Sequence, residues 1–394
     1  MSRRPPLQLI FAITLTGILN NTLITPAIPD ILAELGLPSD RSGILVASGS
    51  VAGIVLAPVI GLLADRFGRR SVLTICLVIF GSFGLTAAVA PTFEILLASR
   101  LLQGVGSAGL INLAVVLIGD HWSGFERTKL VGRNSAVLTI GLAALPLLSG
   151  TITEMLGWRA AFSIYTLAFG TAGWVWLSLD EYRPTEPPSL RDQLSGAGEV
   201  VRNPVIAMTI LSGFFVFVAI FGLMLTVLPV YLAERFGLGA SARGLLISLP
   251  AITSTLFAFN QSRIRAMVST RSVVVGASLG LVVAFLTLGL AGSVLIVAVG
   301  ALVYGASEGT LIPTLQDINV SAAPDEHRGV AVAVWVGAVR LGQTIGSLLA
   351  GVGIAILGSQ LTLVVGSSVA AAVVLIGWFG PFARHVPTAA QSAA

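Results

Sequence analysis

The sequence predicts an all-α integral membrane protein, with twelve transmembrane helices in two pseudo-symmetric six-helix bundles. Three observations carry this. Of 394 residues, 55% are hydrophobic before the 44 glycines are counted and 10% are charged, where a soluble domain has about 25% charged. With a mean hydropathy of +0.95 the chain cannot cover itself with a polar surface. Twelve apolar runs approach or reach the roughly 20 residues that a helix needs to cross hydrocarbon. A single long polar stretch divides six runs from six.

Lipid offers no water to backbone N–H and C=O groups, so a spanning segment is a helix or part of a closed barrel. The runs are continuously apolar rather than alternating, which excludes barrel strands. The first bundle, expected over residues 1–180, has spans at 7–28, 43–63, 71–90, 95–118, 131–151 and 160–179. A basic start and apolar middle also suit a secretory leader, but Asn20 and Asn21 and the eleven later spans favour a first span. A cytoplasmic linker is expected at 181–203, with Pro184, Pro187, Pro188 and charges of both signs. The second bundle, 204–394, has spans at 204–228, 244–259, 273–290, 294–314, 330–351 and 361–379. Shifted by 201 residues, Arg127, Gly141, Gly150 and Gly157 fall on Arg328, Gly342, Gly351 and Gly358; shifted by 200, Gly109 falls on Gly309. Duplicated halves are a transporter signature, with the substrate site between them near the bilayer midplane.

Orientation follows from the basic residues. With the N-terminus inside, only Arg41, Arg159, Arg235 and Arg243 of the 22 Lys and Arg lie outside, and Arg100 and Arg340 lie within helices. Sixteen remain inside, so both termini are expected in the cytoplasm and the protein in the cell (inner) membrane, multi-pass. The net charge of +4 flanks apolar segments and does not point to nucleic acid. Cys76 is the single cysteine, and His121, His327 and His385 are far apart. No disulfide, metal site, cofactor site or nucleophile–base cluster is expected, and so no enzyme.

Between spans two and three the chain reads Gly61-Leu-Leu-Ala-Asp65-Arg66-Phe-Gly68-Arg69-Arg70. The chain must reverse here within a few residues, and Gly68 can supply a positive φ. The arginines suit an anionic cytoplasmic surface. This stretch resembles the most diagnostic loop of the major facilitator superfamily, and the resemblance extends over nearly the whole chain. It implies the major facilitator fold and a gate in which Asp65 caps the start of span eleven near Val330. Asp120, ending span four on the same side, is expected to accept from one of the loop arginines.

Two further stretches carry the resemblance. Arg100-Leu-Leu-Gln103-Gly104-Val-Gly106 lies in span four, with Arg100 about 9 Å inside the helix end. An intramembrane arginine is costly and functional by default; in similar drug–proton antiporters it is associated with proton coupling. The literal GxGxxG of Gly104, Gly106 and Gly109 follows no strand, so it is not a dinucleotide site. In span five, Gly141-Leu-Ala-Ala-Leu145-Pro146-Leu-Leu-Ser149-Gly150 resembles the antiporter motif GxxxGPxxGG, with Leu145 and Ser149 replacing two glycines. Pro146 removes a helix hydrogen bond, while Gly141 and Gly150 permit close packing. Gly157-Trp158-Arg159 matches the usual outer start of span six. The loop's counterpart in the second half, from Arg263-Ile-Arg265 to Arg271, keeps arginines without the acid and glycine pattern.

The resemblance places spans one, four, seven and ten around a central cavity. Their candidate substrate residues are Asn20, Asn21, Gln103, Asn112, Phe217 and Thr226. Glu308 in span ten, with Arg100 and Arg340, is the candidate proton-coupling set; a structural Glu308–Arg340 pair is the alternative. The expected activity is export of small hydrophobic or amphipathic organic molecules by proton antiport and alternating access, as a monomer in the bilayer. Uptake of a sugar or organic acid by the same fold, or a receptor or assembly role without transport, are the alternatives.

Overall fold

The computed structural model describes residues 4–181, 198–324 and 327–382; most of the expected linker at 181–203 lies outside them. All regular structure among the described residues is helical. Among the described residues eleven segments are long and apolar enough to cross a membrane. They are α1 (Leu7–Glu34), α2 (Ser39–Phe67), α3 (Arg69–Ala88), α4 (Phe93–His121), α5 (Gly124–Leu156), α6 (Trp158–Ser178), α7 (Pro204–Phe236), α8 (Ala240–Phe259), α9 (Thr270–Gly289), α10 (Val294–Ser321) and α11 (Arg328–Phe379).

Twelve spans and eleven segments reconcile at one glycine. The 52-residue α11 is two helices in one run: Gly358 adopts φ 75° and ψ 166°, breaking it into arms 328–357 and 359–379. Gly157, its repeat partner 201 residues earlier, separates α5 from α6 with φ 86° and ψ 159°. Both halves thus turn at the same place with the same left-handed residue, a conformation only glycine adopts cheaply.

Contacts divide the chain into two compact units, Met1–Pro188 with Gly237–Ser248, and Ser189–Phe236 with Leu249–Ala394. In the first, α4 packs on α2 and α3, α3 on α6, and α1 on α4 and α5; the first part of α8, Ala240–Ser248, lies along α5. In the second, α11 packs on α7 and α9, while α10 packs on α9 and on Pro250–Phe259 of α8.

Several spans are irregular for local reasons. In α1 the helix stops at Thr22 and resumes at Ile28 through a 3₁₀ turn, Thr25–Ala27, whose Pro26 has no N–H to give. In α7 the stretch Ile220–Val227 widens to a π-helix, and the Thr226 hydroxyl donates to the Phe221 carbonyl five residues back at 2.7 Å.

The glycine string in α4 is a packing feature. A Cβ on Gly104 would lie 2.7 Å from the Gly49 carbonyl oxygen, and one on Gly106 would lie 2.5 Å from the Phe80 backbone nitrogen and 2.6 Å from the Cys76 carbonyl oxygen. These glycines bring α4 against α2 and α3 backbone to backbone. Gly106→Ala is therefore expected to cost about 1–3 kcal/mol of stability, since neither wall can rotate away. Gly170→Ala in α6, where an added Cβ meets nothing within 4 Å, is expected to be neutral or stabilising. Thermal unfolding of the two variants in detergent checks the contrast, and equal behaviour would contradict this packing.

Candidate functional site

The loop between α2 and α3 is built around Arg69. α2 ends at Phe67, Gly68 reverses the chain with φ 100°, and α3 begins at Arg69. The buried Arg69 guanidinium takes two carboxylates: Nη1 lies 2.5 Å from Asp65 Oδ1, and Nε donates to Asp120 Oδ2 at 3.1 Å. One arginine thus ties the end of α2, the start of α3 and the end of α4. The start of α3 has a further acceptor that the sequence did not suggest. Glu181 accepts from the Arg70 backbone N–H at 3.2 Å and the Ser71 hydroxyl at 2.5 Å, satisfying helix N-terminal donors. The Arg70 guanidinium also stacks 4.7 Å over Trp176, and Arg66 lies 5.7 Å over Phe67. Around Gly61 an added Cβ would meet nothing within 4 Å, so no packing contact calls for glycine there.

Arg100 is held quite differently. It is fully buried, seven residues into α4, and no carboxylate pairs with it among the described residues. Its acceptors are neutral: Nη1 donates to Gln103 Oε1 at 2.7 Å and to the Tyr165 hydroxyl at 3.1 Å, and Nη2 donates to the Asn20 carbonyl at 2.6 Å. The Asn20 side chain in turn donates to the Gly49 carbonyl at 2.9 Å. Gly49 makes the room, since a Cβ there would lie 2.5 Å from Arg100 Nη2. Asn20 and Gln103, expected along a cavity, and Arg100, expected in proton coupling, are thus brought together into one buried knot between α1, α2, α4 and α6. Tyr165, 65 residues away in sequence, completes it.

The interrupted part of α1 explains two departures from expectation. With the Ala27 N–H bonded to the Ile24 carbonyl, the Leu23 carbonyl has no helical partner. The Ser149 hydroxyl of α5 takes that role, donating at 2.5 Å. Ser149 stands where the antiporter motif has glycine, and here the hydroxyl has a task. The Pro26 carbonyl accepts from Arg243 Nε at 3.0 Å, and Arg243 Nη1 donates to Leu238 O at 2.8 Å while Nη2 pairs with Asp30. Glu154 Oε2 accepts from the Ser241 backbone N–H at 2.7 Å. Gly150 lies against the Ala240 backbone, and Gly244 against the Pro146 carbonyl. Gly141 faces Leu15 and Ile18 of α1. Beyond Gly157, Trp158 donates to Glu34 at 2.7 Å and Arg159 pairs with the same carboxylate.

In the second unit Glu308 lies midway along the 28-residue α10. The helix runs on to Ser321 rather than ending near Thr314, which puts Glu308 about 20 Å from that end. Every other described carboxylate lies within about two turns of a helix end or in a connection. The half-buried Glu308 carboxyl neighbours the buried Tyr304, one turn away. Arg340, half-buried and twelve residues into α11, donates to Gln343 Oε1 at 3.4 Å. Among the described residues Glu308 and Arg340 form no ion pair with each other, so the structural alternative for Glu308 is absent. Of the remaining cavity candidates, Asn21 is half-buried, Asn112 lies on an exposed face, Phe217 stacks 6.4 Å from Phe221, and Thr226 is buried in the π-turn. The buried pair Thr14–Asn134, 2.8 Å apart across α1 and α5, is a further polar contact that no sequence motif marked.

A family profile described as Major Facilitator Superfamily matches residues 10–268 and 244–394, nearly the whole chain. The chain belongs to the Major Facilitator Superfamily. It is a multi-pass membrane protein of a family of transporters, not of enzymes. Curated relatives include the Bacillibactin exporter of Bacillus subtilis (strain 168), 34% identical over 126 residues, covering 31% of each chain. Multidrug resistance protein 1 of the same organism is 26% identical over 254 residues, 62% of this chain and 64% of the relative. Quinolone resistance protein NorA of Staphylococcus aureus (strain Mu50 / ATCC 700699) is 31% identical over 134 residues, 34% of each. The chain thus spans between about a third and just under two thirds of these relatives. Among solved structures, a D-xylose-proton symporter superposes with TM-score 0.78 at 18% identity, over 97% of this chain and 98% of the other. A bacterial homolog of the human lysosomal transporter Spinster gives TM-score 0.77 at 17% identity, over 94% and 95%. At these identities the likeness shows the fold.

Ser149→Ala is expected to destabilise the superfamily fold by about 1–3 kcal/mol, because it leaves the buried Leu23 carbonyl without a donor. Ser149→Thr, which keeps a hydroxyl, tests the same bond. Unfolding in detergent should rank wild type above Ser149→Ala, and an unchanged midpoint in Ser149→Ala would show that the bond does not matter.

Proposed function

We propose that this superfamily member is a secondary exporter of small hydrophobic or amphipathic organic molecules, driven by proton antiport through alternating access. The observation that carries the proton half of this reading is Glu308, the carboxylate midway along α10 with no basic partner among the described residues. A carboxyl group in that setting can take up and release a proton without breaking an ion pair. Relatives named as an exporter and as resistance proteins support the export half. The polar side chains support the substrate class. Asn20 and Thr226 donate to the Gly49 and Phe221 carbonyls, and Gln103 accepts from Arg100. Asn20 Oδ1 and Gln103 Nε2 have no partner among the described residues, but both are buried, so few polar groups are left to replace the water around a sugar. Asn21, Asn112 and the Phe217–Phe221 stack are the residues assigned to substrate contact, a mostly apolar set suited to an amphipathic molecule.

Arg100, a buried positive charge on neutral acceptors, is assigned with Arg340 to the proton-coupling set. The Asp65, Arg69 and Asp120 cluster is assigned to the gate, with Gly61, Arg66, Gly68 and Arg70 as the loop that carries it. Gly141, Pro146 and Gly150 shape the α5 side. The protein is taken as a monomer in the cell membrane with both termini in the cytoplasm.

Purified protein in proteoliposomes, loaded with a fluorescent lipophilic cation and given an imposed pH gradient, tests the reading. Wild type is expected to move the cation against its gradient when protons flow the other way. Glu308→Gln is expected to lose gradient-driven transport at least tenfold while retaining substrate binding. Gradient-driven transport that survives in Glu308→Gln would assign the proton elsewhere, and transport without any dependence on the pH gradient would overturn antiport.

A further inference from the structure

α8 belongs to both units. Its first part, Ala240–Ser248, lies in the first unit along α5, while Pro250–Phe259 packs on α10 in the second. The helix is interrupted where its contacts change, because Pro250 has no N–H to give the Leu246 carbonyl. Three polar bonds hold the first part to α1 and α5. Arg243 Nε donates to the Pro26 carbonyl at 3.0 Å, and Nη2 pairs with Asp30, at and just after the break in α1. Glu154 of α5 accepts from the Ser241 backbone N–H at 2.7 Å. Beside these bonds glycines face backbone, Gly150 at Ala240 and Gly244 at Pro146.

The duplication of the chain shows that the fold does not require the ion pair. Shifted by 200, Leu23, Pro29, Leu32, Ala33 and Glu34 fall on Leu223, Pro229, Leu232, Ala233 and Glu234. Shifted by 201, Gly36, Leu37, Gly43 and Leu45 fall on Gly237, Leu238, Gly244 and Leu246. Gly36 and Gly237 share a left-handed φ, 64° and 61°. In this register the repeat mates of Asp30 and Arg243 are Val230 and Ser42, which carry no charge. The pair is also placed to open. The Arg243 side chain is 4% exposed but that of Asp30 is 41% exposed, so water can solvate the carboxylate when the arginine leaves. Arg243 Nη1 donates to the Leu238 carbonyl at 2.8 Å, a bond that travels with the arginine.

We propose that Arg243 and Asp30 form a releasable latch, and that the first part of α8 swings away from α1 and α5 about Leu249–Pro250 to open the transport path on the side expected to face outward. This rests on the alternating-access reading, in which the path opens to each side in turn. The Asp65, Arg69 and Asp120 cluster lies at the far end of α2 from the Asp30 side, so the latch is a separate fastening with its own release. On release Asp30 and the Pro26 carbonyl exchange the guanidinium for water. A short interrupted helix segment moving about its end is a common form of gate.

Distances between spin labels test the latch without reference to any substrate. In a Cys76→Ala background, labels at Met155→Cys of α5 and Leu245→Cys of α8, both exposed positions, are measured in nanodiscs by double electron–electron resonance. With the latch residues intact a short distance is expected to dominate over a longer one. Asp30→Asn and Arg243→Gln should each raise the long-to-short ratio about tenfold, since either breaks the pair. Asp30→Glu should keep the original ratio. A single short distance in every variant marks a permanent contact and overturns the latch. A lowered unfolding midpoint with an unchanged ratio assigns the pair to stability alone and overturns it too. Should Arg243→Gln fail to fold, the isosteric Asp30→Asn at the half-exposed partner decides. In proteoliposomes, a short bifunctional methanethiosulfonate joining Glu154→Cys to Ser241→Cys should slow transport of the lipophilic cation at least tenfold, and dithiothreitol should restore it. Transport that continues through the cross-link overturns the gate. A wild type that carries no cation counts against the export reading, and the label distances still decide the latch.

Discussion

In hydrocarbon a polar group finds its partner inside the protein or goes without, and each departure of this chain from a regular apolar helix is organised by that condition. Where α1 gives up helical bonds around Pro26, the Leu23 and Pro26 carbonyls would be stranded. Ser149 and Arg243 reach them from α5 and α8. Those two bonds fix where α5 and the first part of α8 lie against α1, so a local defect in one span sets the packing of two others. The π-turn of α7 follows the same logic on a smaller scale, with the Thr226 hydroxyl returned to the Phe221 carbonyl.

The buried charges divide into two kinds. Arg69 is neutralised by Asp65 and Asp120, and its role is to join three helix ends. Arg100 is surrounded by a carbonyl, an amide and a phenol, which accept its hydrogen bonds and leave its charge standing. Replacing these acceptors by a carboxylate would stabilise the charge further but would also cancel it. Glu308 is the converse case, a carboxyl without a cation beside it among the described residues. Among the described residues the first unit therefore holds one ionisable group deep within a span whose charge its neighbours do not cancel, Arg100, and the second holds two, Glu308 and Arg340. This is where a membrane protein places groups that must respond to protons or substrate.

The superfamily signature was legible in the sequence because its residues are close together in the chain. Gly61, Asp65, Gly68 and Arg69 fall within a single loop, and the reversal at Gly68 follows from backbone sterics alone. Glu181 was not legible, because it meets Arg70 and Ser71 only after α3 to α6 have folded back. Ser149 read as a damaged motif for a similar reason. The carbonyl that gives it a purpose is 126 residues away. The end of α10 was not legible either: the span expected at 294–314 is a helix that continues to Ser321.

What the sequence determined by itself is what depends on composition and neighbours along the chain. That covers the helical membrane class, the order of the spans, the repeat that relates Gly157 to Gly358, and the turn at Gly68. What only the tertiary structure decided is which polar groups meet which partners. Asn20, Gln103 and Thr226 looked like cavity residues and prove to be bonded within their own units, whereas Arg340 looked like the partner of Glu308 and bonds Gln343 instead. The physical reason is that hydrophobicity acts on each segment separately, whereas a hydrogen bond or ion pair needs two atoms within about 3 Å. That distance is set by how helices remote in sequence come to pack.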